Sequence, residues 1–208
     1  MIMKIAAKFT AMILFVICFF LTSSSKPLRL SAFGGQSPQK SITYSPERNQ
    51  PVRFDKIKAA DKLFEFEAGS EFKKDFDGDD DWMRGLAITF KNTSNKNIVY
   101  VNVLLLFPET EAAGPIMGFP LQFGHFPKKP NIGSYDNLLK PGEEMEIILT
   151  DDQHNHLQSF LKSRSFNKIN RLRLFLESVI FEDDILWVGG ILMRRDPDNP
   201  NRWLPIDK

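Results

Sequence analysis

Seven residues, Asp75-Phe-Asp-Gly-Asp-Asp-Asp81, carry five carboxylates. Hard cations want several oxygen ligands from one short loop, so this run invites a calcium reading. The helix–loop–helix calcium motif needs glycine at its sixth position and glutamate at its twelfth. Counted from Asp75, those positions hold Asp80 and Leu86. That motif fails, and a looser site at a sheet edge or a solvated acidic turn is left open. The histidines are His125, His154 and His156. The last two stand two apart on an expected helix, on different faces, where they cannot clamp one ion. The only cysteine, Cys18, lies in an apolar N-terminal run. The folded part therefore offers no thiolate for zinc, no cysteine nucleophile and no disulfide.

Other catalytic patterns are equally thin. No G-x-S-x-G turn accompanies the histidines, and no glycine-rich phosphate loop occurs. Glu177 shares a strand face with Arg171 and Arg173, which reads as a ladder of opposite charges rather than an acid–base pair. The expectation is a non-enzymatic binding or accessory module of the cell envelope, with no cofactor, no metal and no catalytic residue. The alternative is a hydrolase that attacks envelope material through two carboxylates that meet in space. For binding, the aromatic residues of the long stretch after Pro108 stand out. Phe119, Phe123, Phe126 and Tyr135 are spaced by Gly, Pro and Lys. Recognition residues favour loops at the end of a rigid scaffold, so these four are the candidate binding residues. Capping an open core is the competing role for the same rings.

The elements that must hold these residues follow from period and composition. Asp61–Ala68 alternates and gives a first strand. Residues 69–81 form an acidic connection. Leu86, Ile88 and Phe90, then Val99, Val101, Val103 and Leu105, alternate with their neighbours around the polar turn Asn92–Asn97, which predicts a β-hairpin. Residues 109–142, with five prolines, read as a long irregular region. Met145, Ile147 and Leu149 give another strand. Thr150 with Gln153 forms a capping box that starts one short helix, about 151–163. Arg171–Phe181 is a strong strand, and Ile185–Arg194 returns beside it, with Gly189-Gly190 as a bulge or a close backbone contact. The tail from Arg195 runs extended over the surface, held by Trp203. No βαβ alternation appears. The fold class is all-β: an antiparallel immunoglobulin-like β-sandwich with one short helix.

The chain also carries an address. Lys4 and Lys8 precede the eleven apolar residues Ala11–Leu21, followed by Thr22 and three serines. This fits a signal peptide, and the run is short for a spanning helix. An uncleaved anchor to the inner membrane through residues 9–22 is the alternative. The expected organisation is a signal peptide or anchor over 1–25, a flexible linker over 26–56 rich in Pro, Gly and Ser, and a sandwich domain over 57–208. An N-terminal arm lying on the domain is the other reading of that linker. The protein is expected outside the cytoplasm, periplasmic or extracellular, touching membrane only through an uncleaved N-terminus. A net charge of +1 gives no basic face for nucleic acid. The expected partner is an envelope protein or a glycan.

Several phrases occur together: Asp80-Asp-Trp82 before a strand, Lys91-Asn-Thr-Ser94 in the turn, and Leu106-Phe-Pro-Glu109. Phe181-Glu-Asp-Asp184 before Trp187 and Arg194-Arg-Asp-Pro197 before Trp203 join them. With these the chain, over residues 60–208, resembles exported bacterial immunoglobulin-like β-sandwich proteins of unknown function. The resemblance implies a fold and a compartment, and no activity or site residue.

Overall fold

The computed structural model describes residues 39–127 and 137–206. The chain runs β1 (Gln39–Tyr44), β2 (Val52–Ala59), β3 (Lys62–Glu65), β4 (Phe72–Asp77), β5 (Ala87–Asn92) and β6 (Ile98–Phe107). A 3-10 turn, Pro108–Ala113, leads to β7 (Met117–Gly124) and β8 (Glu144–Ile148). Then come α1 (Asp151–Ser163), β9 (Arg171–Phe181), β10 (Ile185–Val188), β11 (Ile191–Arg195) and β12 (Trp203–Pro205).

The spine is β9. One edge pairs antiparallel with β6, which pairs in turn with β7. The other edge is divided. Its first half pairs parallel with β1, which carries β4, and its second half pairs with β10, which carries β11 and β12. A smaller sheet runs β3-β2-β5-β8, all antiparallel. Period-two alternation explains how the layers meet. Ile42, Val101, Val103, Leu105, Leu172, Leu174 and Leu176 of the larger sheet bury against Phe54, Ile57, Ile88 and Phe90 of the smaller. Tyr44 meets Phe54 at 4.7 Å between ring centres, Phe64 meets Phe76 at 5.1 Å, and Phe90 meets Phe123 at 6.4 Å. Each such side chain contributes roughly 1.5–3 kcal/mol on burial. The result is a mostly β, two-layer sandwich stabilised by its core. Among the described residues no helix is long and apolar enough to cross a membrane.

The helix lies where the capping box put it. Gln153 N–H donates to Thr150 Oγ1 at 3.3 Å and Thr150 N–H to Gln153 Oε1 at 3.0 Å. Leu157 and Leu161 form its buried face. The tail also behaves as expected: β12 pairs with β11, and the Arg195 guanidinium stacks 4.5 Å from the centre of the Trp203 ring.

Other expectations are corrected. β5 and β6 are not a hairpin. β5 lies between β2 and β8 in the smaller sheet, and β6 between β7 and β9 in the larger. Alternation reports which face is buried, not which strand is the neighbour. The turn between them therefore crosses from one layer to the other. Residues 39–44 and 52–56, read as part of a flexible linker, are strand. Ile42 and Tyr44, then Val52 and Phe54, point into the core, and the prolines fall in the turn between the strands. The acidic connection contains β4, whose exposed Lys73, Lys74, Asp75 and Asp77 protect an edge strand. The long region after Pro108 contains β7. Gly189-Gly190 is a two-residue hairpin turn rather than a bulge: both φ angles are positive, +54° and +85°, as a type I′ turn requires. The expected close backbone contact is present, since a Cβ on Gly190 would stand 3.2 Å from the Arg48 carbonyl oxygen. The expected signal segment, the first part of the linker and Tyr135 lie outside the described residues.

Candidate functional site

Of the aromatic residues expected to form one binding loop, the three that are described, Phe119, Phe123 and Phe126, do not share a surface. Phe123 points inward from β7 and is buried against Phe90. Phe119, on the same face of β7, is half-buried, with its ring 6.2 Å from that of His156 on α1. Phe126 lies past the end of β7. It is exposed and packs edge-on against Tyr100, 5.4 Å away. Gly124 ends β7 at φ +70°, and a Cβ there would stand 2.1 Å from the Val99 carbonyl oxygen. Only glycine lets the chain turn away so close to β6.

The acidic run meets the chain's own cations. Asp80 Oδ2 pairs with Lys168 Nζ at 2.9 Å, and its Oδ1 lies 3.7 Å from Lys40 Nζ. Lys168 beside it holds the Asp80 carboxyl below the usual range. Asp81 pairs with Arg84, and Asp79 accepts from the Asp81 N–H. Asp75 and Asp77 lie exposed on β4. Among the described residues, no three His, Cys, Asp or Glu side chains gather into a metal-sized group. Glu177 accepts a hydrogen bond from Asn102 Nδ2. Glu109 is occupied at the far end of β9, where its Oε1 accepts from the N–H groups of Asn170 and Arg171. Six strand residues, about 20 Å, separate that end from Glu177.

His154 faces inward from α1, 1% exposed. Its Nδ1 has no hydrogen-bond partner among the described residues, and its Nε2 lies 3.4 Å from Gln158 Nε2. Burial, then the nearby Arg84 charge, pushes its pKa down, against a smaller opposing pull from Asp81 and Asp151. The sign of the consequence is fixed. Above the ordinary value near 6.5 the group is neutral folded or unfolded and contributes nothing. As pH falls below that value, the unfolded chain takes up a proton that the folded chain refuses, so stability drops. The drop grows until the folded state is protonated as well. The denaturant midpoint should fall more between pH 7.5 and pH 5.5 in the wild type than in His154→Leu. Equal losses in the two proteins would rule His154 out as the sensor.

A cleft lies at the Phe181 end of β9, with a volume of about 720 Å³. That is within the range of ligand pockets. Four separate segments build it: 49–51 after β1, 93–96 in the crossing turn, 181–192 from the end of β9 through the β10–β11 hairpin, and Ile206 after β12. Trp187 lines it at 1% exposure, and its Nε1–H has no acceptor among the described residues. Around the rim Ile191, Leu192 and Ile206 are exposed, and the Ile206 N–H bonds the Leu192 carbonyl at 2.9 Å. These are three of the six exposed large apolar side chains among the described residues, gathered at one place. Among the described residues, the one charged lining residue, Lys96, is paired with Asp183.

No family model, curated protein or solved structure matches this chain. Any assignment must come from the geometry above. Sequence reading missed the cleft, although one signal was present. Ile191-Leu192-Met193 are consecutive apolar residues in a strand, and a strand cannot turn all three to one side.

Proposed function

We propose that this chain is an exported, non-catalytic binding module on an immunoglobulin-like frame. Its cleft at the Phe181 end takes an uncharged, extended apolar segment of another envelope protein. The observation that carries this reading is the concentration of exposed Ile191, Leu192 and Ile206 around a cleft whose one charged lining residue among those described, Lys96, is already paired. Clustered exposed apolar residues with a polar rim favour a protein partner. Asn49 and Asn95 border the cleft and make no side-chain hydrogen bonds among the described residues. Their amides suit the backbone of an extended segment. A glycan fits less well here, because Phe181 and Trp187 are buried and offer no open ring face.

A photo-crosslinking residue at position 192, in cells, tests the proposal, with position 73 on β4 as the control. One discrete protein adduct should form from 192 and not from 73. Ile191→Asp should cut the adduct about tenfold or more while changing stability by only about 0.5 kcal/mol. Equal adducts from both positions, or an adduct that survives Ile191→Asp, would overturn it.

A further inference from the structure

We propose a second site: the pocket between β7 and α1 binds a saccharide. The pocket has a volume of about 570 Å³. β7 contributes Phe119 and Pro120, and α1 contributes Asp152, Gln153, His156 and Phe160. Asp152, His156 and Phe160 stand four residues apart in turn, so one face of the helix carries all three. Leu157 and Leu161, on another face, bury in the core and fix that orientation.

The chemistry of the lining selects the ligand. Phe119 and Phe160 are half-buried against the core and make a fixed apolar wall. Arg164 holds the Phe160 ring from outside the pocket lining, 5.4 Å from its centre. The polar groups differ in kind. Asp152 only accepts, and it has no ion pair among the described residues. Gln153 Oε1 is occupied by the Thr150 cap, which leaves its Nε2 as a donor. His156 is exposed and can do either. A sugar ring matches this set, with a C–H face for the aromatic wall and hydroxyls that donate and accept at its edge. An acyl chain would cover the Asp152 carboxylate without a partner, at a large desolvation cost. An anion would meet that carboxylate directly. A simple cation would leave the Gln153 donor unmatched.

Saturation-transfer NMR and calorimetry on the full chain provide the test, with maltotriose, cellotriose and N,N′,N″-triacetylchitotriose as probes. At least one should bind with Kd on the order of 1 mM. His156→Ala, at an exposed position that leaves the fold alone, should weaken binding about tenfold, and Asp152→Asn several-fold. Leu192→Asp, in the cleft, should leave saccharide binding unchanged. Absence of transfer to all three probes overturns the proposal. So does binding that survives a His156→Ala, Phe160→Leu double variant undiminished.

Discussion

Trp82→Ala should destabilise the domain by about 5 kcal/mol and lower its melting temperature by roughly 10–20 °C. Trp82 is 1% exposed, and its indole N–H donates to the Ile169 carbonyl at 2.8 Å. Its ring meets Phe76 edge-on at 5.4 Å, and its own carbonyl accepts from the Ala60 N–H at 3.0 Å. Two crossings between the layers meet here. One runs from β4 of the larger sheet to β5 of the smaller. The other returns from α1 to β9. Removing the indole leaves a large cavity, worth about 3–5 kcal/mol, and a buried carbonyl without its donor, worth about 1–3 kcal/mol more. Typical domains hold about 5–15 kcal/mol in all, so the variant should sit near the limit of folding. Trp82→Phe separates the two contributions. It keeps most of the ring and loses the hydrogen bond, and should cost about 2 kcal/mol. Urea melts followed by circular dichroism read both. A Trp82→Ala loss below about 2 kcal/mol would mean that this junction does not hold the two crossings together.

How much of this was readable beforehand depended on how local each signal is. The Thr150–Gln153 box acts within four residues, so it gave α1 its start from sequence alone. Leu172, Leu174 and Leu176 are each near fully buried, and their spacing announced β9. What a strand pairs with is not local. Ile88 and Val101 alternate alike, yet they lie in opposite layers, and no property of residues 93–97 by itself distinguishes a hairpin from a crossing. β1 was hidden for a different reason. Its inward residues are Lys40, Ile42 and Tyr44, and a lysine at 0% exposure reads as a surface residue until Asn170 Oδ1 is found 2.9 Å from its Nζ. The cleft was the least legible feature, because its walls come from four segments far apart in sequence. The Phe119 pocket was half legible: the ring was singled out, but its partners on α1 could not be.

The crossing turn carries the second large effect. Asn92→Ala should cost about 3 kcal/mol and disturb the cleft along with the fold. The Asn92 side chain is fully buried and uses both of its ends. Nδ2–H groups donate to the Lys96 carbonyl at 2.8 Å and the Leu139 carbonyl at 2.9 Å. Oδ1 accepts from the Ser94 N–H at 2.9 Å and the Ser94 hydroxyl at 2.7 Å. The backbone is held as well, by Glu143 and Gly142. These contacts bend residues 93–96 into the shape that forms one wall of the cleft. Thr93 then fixes that wall to the next, since its N–H and hydroxyl both donate to the Pro51 carbonyl, at 2.9 and 3.0 Å. Ser94→Ala removes one hydroxyl from a more open position and should cost about 1 kcal/mol. Asn92→Asp keeps the acceptor contacts but sets a buried charge against two carbonyl oxygens, so it should cost at least as much as Asn92→Ala at pH 7. Burial would raise that carboxyl's pKa above its unfolded value. The folded state would then hold more protons than the unfolded one, and the Asn92→Asp defect should shrink as pH falls from 7 toward 4. Asn92→Ala should show no such relief. Melts of the three variants across that pH range, read beside crosslinking from position 192, would show whether a single buried amide sets both the crossing and the cleft. A stable Asn92→Ala domain with an unaltered adduct would separate them.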